Sequence, residues 1–135
     1  MAHYLFNCMD IDAETGSEFL RAGMWGVAPG EPYRDALAAG DLVLFYLGAP
    51  NRVFIGWAEL GSAVRDWTPV EARAHPGTSG GVLLADVREW DPPVPMDAVL
   101  AQIDSPAARG DFEAGVVRIT ASEYETALRV AGERR

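Results

Sequence analysis

The chain has 135 residues, 49% of them apolar and 23% charged, a composition typical of one globular domain and not of a disordered or repetitive chain. We therefore expect a single domain over residues 1–135. The formal net charge is −9, and the eleven basic residues are all arginines. This balance excludes a broad cationic surface for nucleic-acid phosphates, and the absence of lysine excludes Schiff-base chemistry and a lysine-dependent phosphate loop.

Residues that usually hold metal ions are scarce. Cys8 is the only cysteine, and His3 and His75 are the only histidines, so no metal-ligand spacing exists among them and neither a metal nor a cofactor is predicted. No apolar run approaches the roughly 18–20 residues of a membrane helix, and the first residues lack a basic region and a signal-length apolar segment. The sequence thus predicts a cytoplasmic protein without membrane contact.

Four short segments are distinguished before residue 40. In chain order they are a strand at Tyr4–Asn7, a helix within 10–23, a glycine-flanked loop around Trp25 and a helical stretch at Tyr33–Ala39. Asp12 or Thr15 can cap the helix through a side-chain oxygen, and Gly23 is expected to end it. Because Trp25 lies outside any regular apolar period, it is a candidate for ligand contact.

Residues 42–47 and 53–60 are two apolar runs that flank a five-residue loop, which predicts a β-hairpin. The two runs carry four aromatic rings, for which core packing and a place in a pocket wall are the alternatives: Phe45, Tyr46, Phe54 and Trp57. Gly56 has no side chain, so another group is expected to approach the sheet closely there.

The register of this hairpin decides which rings share a side of the sheet. If Leu47 pairs with Val53, then Tyr46 faces Phe54, and Trp57 lies on the opposite side from Tyr46. On this register Tyr46 and Trp57 do not share a pocket, whereas a slip by one residue would bring them to the same side.

The second half of the chain predicts a long loop, two strands and a terminal helix. The predicted segments are a loop at 65–81, a strand at 82–90 that the sequence DPPVP at 91–95 breaks, a helical turn within 95–103, a polar connection at 104–114 and a strand at Gly115–Ile119. Thr120 and Glu123 form a capping box that opens a helix to about Val130. Together these segments indicate an α+β fold with a mainly antiparallel sheet, curled or closed into a small barrel.

Three stretches occur in an order and spacing typical of one family. They are GMWGV at 23–27, GDLVLFY at 40–46 and FIGWAEL at 54–60. Together they resemble the EVE domain of the PUA-like superfamily, to which the YTH domain also belongs, and residues 112–128 resemble the family's last strand and helix. The resemblance covers nearly the whole chain and implies a PUA-like small β-barrel with flanking short helices.

The resemblance also implies a pocket that accepts a flipped-out modified base. Trp25 matches the tryptophan that stacks on N6-methyladenine in YTH domains, and Trp67 lies in the loop from which those domains supply a further pocket tryptophan. Asn7 and Cys8 lie near the positions where related families carry a Ser or Thr followed by Asn for base edges. This departure leaves the identity of the base open.

Four further residues are candidates for the same site. Tyr46 and Trp57 are possible pocket walls, with core packing as the alternative. A base that stacks on an aromatic ring gains on the order of 1–3 kcal/mol, which makes such rings worth testing. Arg34 and Arg52 are candidates for contact with phosphate, although isolated arginines on an acidic protein are usually solvated.

Three functions are compatible with these observations. The first is a module that binds a modified base, with methylated DNA, RNA or a nucleotide as its partner. The second is a protein-interaction domain with a vestigial pocket, which the net charge of −9 favours. The third is a small hydrolase acting on a modified nucleobase, similar to ASCH-type amidohydrolases, which rely on a lysine with nearby Thr and Glu. Because the chain has no lysine, we predict a binding module and not an enzyme; the base, the choice of DNA or RNA and the oligomeric state stay open.

Overall fold

The computed structural model describes residues 1–8, 11–48, 51–75, 77–102 and 115–132. Within these ranges seven strands form one curled sheet. They are β1 (His3–Cys8), β2 (Met24–Gly26), β3 (Leu42–Leu47), β4 (Val53–Leu60), β5 (Arg65–Asp66), β6 (Gly80–Pro95) and β7 (Val116–Ile119). The order along the sheet is β2-β6-β4-β3-β1-β7, and β5 pairs with β6. Strands β1 and β3 are parallel, and the other pairs are antiparallel.

Four short helices and one 3-10 turn flank the sheet in the same ranges. The helices are α1 (Ala13–Ala22), α2 (Pro69–Ala74), α3 (Met96–Leu100) and α4 (Ala121–Val130), and the 3-10 turn spans Arg34–Ala36. This architecture confirms the predicted α+β fold with a mainly antiparallel, curled sheet. None of the helices within the described ranges is long and apolar enough to cross a membrane.

Alternating side chains of β3 separate two apolar layers. Phe45 and Leu20 of α1 belong to the buried apolar cluster on one side of the sheet, the α1 face. Tyr46 and Tyr124 of α4 belong to the buried apolar cluster on the other side, the α4 face. All residues of β3 are buried, as expected for a central strand that is covered on both faces.

The predicted helix boundaries are present at both ends of the chain. The Asp12 carboxylate accepts the Thr15 N–H at 2.7 Å and caps α1, and Gly23 ends α1 with a left-handed φ of 73°. Thr120 and Glu123 form the predicted capping box of α4. These signals depend on neighbouring residues only, which is why the sequence identifies them.

The hairpin of β3 and β4 has the predicted pairing next to its loop, where Leu47 lies opposite Val53. Further along, a β-bulge shifts the register by one residue. Because one extra residue moves every later side chain to the other side of the sheet, Trp57 lies on the α4 face together with Tyr46. The prediction that these two rings lie on opposite sides is therefore wrong.

Gly56 lies beside this bulge, in close contact with β6. A Cβ atom at Gly56 would overlap with the carbonyl oxygen of Arg88. The predicted close approach at Gly56 is thus confirmed, and the approaching group is the backbone of the neighbouring strand.

Residues 65–81, predicted as a loop, contain β5 and α2. The Thr68 hydroxyl accepts the Glu71 N–H at 3.3 Å, and the Glu71 carboxylate accepts the Thr68 N–H at 2.9 Å. This capping box, followed by Pro69 in the first turn, is a signal for helix initiation. The prediction missed it because the prolines and glycines of the segment favoured a loop.

Strand β6 continues through 91–95, where the sequence predicts a break. It pairs with β4 at Glu89 and again at Val94 and Pro95, so Pro92 and Pro93 lie in the unpaired segment between these contacts. There the missing N–H of proline removes no hydrogen bond with β4, and the strand can continue.

Other segments differ from the prediction in extent. Only the 3-10 turn forms within Tyr33–Ala39, and Trp25 lies in β2 instead of a loop. The helical turn predicted within 95–103 is α3, and the last strand begins at Val116. The polar connection predicted at 104–114 lies outside the described residues.

Candidate functional site

A cleft opens on the α1 face, beside the C-terminal end of β1. It consists of two adjoining cavities, of about 330 Å³ and about 170 Å³, which share the lining residues Cys8, Trp25, Gly26 and Thr78, and we refer to them as its larger and smaller lobe. The larger lobe is also lined by Thr15, Glu18, Phe19, Ala74 and His75. The smaller lobe is also lined by Phe6, Asn7, Val27, Glu31 and Gly115. The cleft therefore joins segments that are far apart in the sequence, and it includes three predicted site residues: Asn7, Cys8 and Trp25.

Trp25 lies between the apolar core and the cleft. Its ring centroid is 4.6 Å from that of Phe45 and 5.8 Å from that of Phe19, whose ring is edge-on. Pairing with Val82 of β6 fixes the backbone of Trp25. Only 4% of the residue is exposed, so Trp25 is mainly a core residue that also lines the cleft.

Three rings form a row beside the larger lobe: Phe19, His75 and Trp67. The His75 ring is 4.8 Å from Phe19 and 5.0 Å from Trp67, with an angle of 26° between the planes of His75 and Trp67. His75 is buried. The sequence reasoning missed Phe19 and His75 as site residues, because only the folded chain brings α1 against the end of α2.

Trp67 is held in this row by hydrogen bonds. Its indole N–H donates to the Thr78 hydroxyl at 3.1 Å, and that hydroxyl donates to the His75 carbonyl at 3.1 Å. Trp67 is thus adjacent to the cleft through Thr78 and His75, although it is not among the described lining residues of either lobe.

An ion pair lies next to Trp67. The Arg65 guanidinium lies 5.6 Å from the Trp67 ring centroid and donates to both Glu71 carboxylate oxygens, at 2.9 and 2.6 Å. These bonds, together with that from the Thr68 backbone, lower the pKa of Glu71 to about 2. The charged pair therefore persists across the neutral pH range and keeps α2 against β5.

The end of β1 supplies the polar side of the smaller lobe. Asn7 and Cys8 line it, and the Asn7 N–H donates to the Gly115 carbonyl at 2.9 Å. The Glu31 carboxylate packs against the same glycine. Among the described residues, no group of three or more His, Cys, Asp or Glu side chains is placed to hold a metal ion.

The structure does not bring the remaining predicted residues to the cleft. Tyr46 and Trp57 lie on the α4 face, where the Tyr46 hydroxyl donates to the Met96 sulfur at 2.9 Å. Arg34 and Arg52 are not among the described lining residues of either lobe, and their contact with phosphate stays a prediction.

Burial of His75 makes the stability of this region depend on pH. Burial lowers the pKa of His75 from 6.5, and the charge of Glu71 opposes that shift. The unfolded chain therefore binds the proton more readily than the folded chain. The contribution of neutral His75 to the free energy of unfolding is complete above pH 6.5, and it is lost as the pH falls towards the lowered pKa of the folded protein. A His75→Phe variant keeps a ring between Phe19 and Trp67, and we expect its stability to vary less below pH 6.5 in urea unfolding curves.

A His3→Phe variant is the matched control, because it removes the other histidine, which contacts Tyr124 on the α4 face. The acid-dependent loss of stability should be smaller in His75→Phe than in His3→Phe. The same loss in both variants would show that His75 is not its source.

No protein-family model and no curated protein matches the chain. Solved structures match it over nearly its full length. The chain is similar to the YTH domain of the Zygosaccharomyces rouxii MRB1 protein in complex with N6-methyladenosine RNA, with a TM-score of 0.70 and 16% identity over 99% of this chain and 86% of that chain. It is also similar to human THYN1 in complex with DNA containing 5-methylcytosine, with a TM-score of 0.66 and 14% identity over 100% of both chains.

A third similar structure is the ASCH protein of Zymomonas mobilis, with a TM-score of 0.59 and 14% identity over 95% of this chain and 94% of that chain. At these identities the three likenesses show a shared fold. They confirm the PUA-like fold that the sequence motifs predicted.

Proposed function

We propose that the chain binds a modified nucleobase in the cleft between β1, β2 and α1. The observation that carries this proposal is the position of Trp25, which lines both lobes together with Cys8. A flat base gains on the order of 1–3 kcal/mol by stacking on an aromatic ring, and in this proposal polar groups at the end of β1 contact its edge. The methylated RNA and DNA bound by two proteins of similar fold support the same class of ligand.

The size and lining of the cleft fit a single base. The larger lobe, at about 330 Å³, lies at the lower end of the range of about 300–1,000 Å³ that is usual for small-molecule sites. Phe19 and Trp25 give it apolar walls, and Thr15, His75 and Thr78 add a few polar groups. Apolar walls with a few polar groups are the usual composition of a site that fixes a ligand's orientation.

The phosphate backbone contributes little to binding in this proposal. None of the described lining residues is an arginine, whereas Glu18 and Glu31 are acidic. Because few phosphates would be neutralised, we expect the affinity to change little with salt concentration. Recognition then depends on the base and its modification.

Cys8 provides a direct test, because it is the only cysteine of the chain and lines both lobes. The rate of its alkylation by N-ethylmaleimide is measured with 5-methylcytidine, N6-methyladenosine, 3-methylcytidine or 1-methyladenosine present. At about ten times the Kd, a bound nucleoside should slow the alkylation about tenfold, since only the free protein reacts. The alkylated protein should in turn lose nucleoside binding, because the adduct lies in the wall that both lobes share.

Cytidine and adenosine are the controls for the modification. They should protect Cys8 more weakly than at least one of their methylated forms. If no modified nucleoside protects Cys8 better than its unmodified parent, the proposed function is wrong.

A further inference from the structure

Glu31 places in the smaller lobe a carboxylate that has no ion-pair partner among the described residues. The residue is partly buried and lines the lobe beside Asn7. The ion pairs found within the described ranges are Arg21 with Glu89 and Arg65 with Glu71, so no arginine there forms an ion pair with the Glu31 carboxylate. A carboxylate that has lost part of its water and has no cation beside it favours a ligand that brings positive charge.

The glycine at position 115 leaves room for the Glu31 carboxylate in the smaller lobe. A Cβ atom at Gly115 would overlap with both oxygens of the Glu31 side chain. The carbonyl of Gly115 accepts the Asn7 N–H at 2.9 Å, which ties the start of β7 to the end of β1. The carboxylate therefore occupies space that a residue with a side chain at position 115 would fill, next to the predicted edge-reading residue Asn7.

The rest of the cleft adds aromatic rings and further negative charge. Glu18 lines the larger lobe together with Phe19 and Trp25. His75 adds no positive charge at neutral pH, because burial lowers its pKa. Among the described lining residues, the cleft thus combines ring faces and carboxylates without a cationic side chain.

We infer that Glu31 makes the cleft selective for a nucleobase that carries a positive charge on its ring, such as an N-alkylated cytosine or adenine, over the uncharged isomer of that base. The inference rests on the proposed function and names its ligand class. A flat cation gains from the aromatic rings by cation–π attraction, and from the carboxylate by a Coulomb term that is larger in a partly buried site than in water. The carboxylate also accepts N–H donors at the base edge and repels carbonyl oxygens.

Two isomeric nucleosides test this selectivity with matched size. 3-Methylcytidine is protonated to a cation at neutral pH and 5-methylcytidine is neutral, and each carries one methyl group and one exocyclic amino group. In the Cys8 protection assay, the affinity of the wild type for 3-methylcytidine should exceed its affinity for 5-methylcytidine by a factor of about ten or more. Glu31→Gln keeps the shape of the side chain and should reduce the preference to about threefold or less, because the charge is lost.

Two further variants complete the design. Glu59→Gln removes the same charge at the opposite end of the sheet, where Glu59 pairs with Leu42, and should keep the wild-type preference. Gly115→Ala displaces the Glu31 carboxylate and should act like Glu31→Gln. Circular dichroism checks that each variant is folded.

The outcomes separate the inference from the function on which it rests. If the wild type binds both isomers equally, or if Glu31→Gln keeps the full preference, the inference is wrong while base binding itself stands. If no modified nucleoside protects Cys8, the proposed function and the inference both fail.

Discussion

Replacing Trp25 with alanine is expected to lower the free energy of unfolding by about 3–5 kcal/mol, because a large buried ring is removed from between Phe45 and Phe19. Such a loss is a large part of the roughly 5–15 kcal/mol that stabilises a domain. Urea unfolding followed by circular dichroism measures it. Base binding should disappear in the same variant, but part of that loss will reflect unfolding.

Two tryptophan-to-phenylalanine variants separate the contribution of Trp25 to stability from its contribution to nucleoside binding. Trp25→Phe keeps an aromatic core residue but reduces the stacking surface, so nucleoside affinity should fall about fivefold or more while the protein stays folded. Trp57→Phe is the matched control, because Trp57 lies on the α4 face with Tyr124 and does not line the cleft. If both variants weaken binding equally, Trp25 acts through stability and does not contact the base.

The contrast between these tryptophans shows where the sequence was informative. Trp25 lies in one of the three sequence stretches whose order along the chain predicted the fold. The structure brings Trp25 to the cleft together with the predicted residues Asn7 and Cys8. Trp57 was misplaced because its side of the sheet depends on a bulge in the hairpin. A bulge adds one residue to a strand without changing its apolar composition, so a pattern of alternation cannot detect it.

The missed site residues share another physical cause. Phe19, His75 and Thr78 come from the middle of α1 and from the segment after α2, and the cleft forms only when these meet β2. Capping boxes and helix ends depend on residues three or four positions apart, and the sequence shows those of α1 and α4 directly, although that of α2 was missed among prolines and glycines. A cleft depends on which strands become neighbours, and the pairing of β2 with β6 joins residues more than fifty positions apart.

The pairing of β2 with β6 leaves no room for a side chain at Gly81. A Cβ atom there would overlap with the backbone carbonyl of Trp25 and with the ring of Trp67. Neither group can yield easily, because β2 is hydrogen-bonded to β6 and the Trp67 indole donates to Thr78. Gly81→Ala is therefore expected to lower the free energy of unfolding by about 3 kcal/mol, at the upper end of the range for overpacked sites.

The effect of Gly81→Ala on binding should exceed its effect on the folded fraction, since the new methyl group separates Trp25 from Trp67. Gly56→Ala is the informative comparison: its Cβ atom would collide with the Arg88 carbonyl, away from the cleft. It should lose comparable stability but keep its affinity for nucleoside in the folded protein. Gly30→Ala, where no described atom beyond the adjoining residues lies within 4 Å of the new methyl group, should change neither quantity. Equal affinities in folded Gly81→Ala and Gly56→Ala would mean that the spacing of Trp25 and Trp67 does not shape the base site.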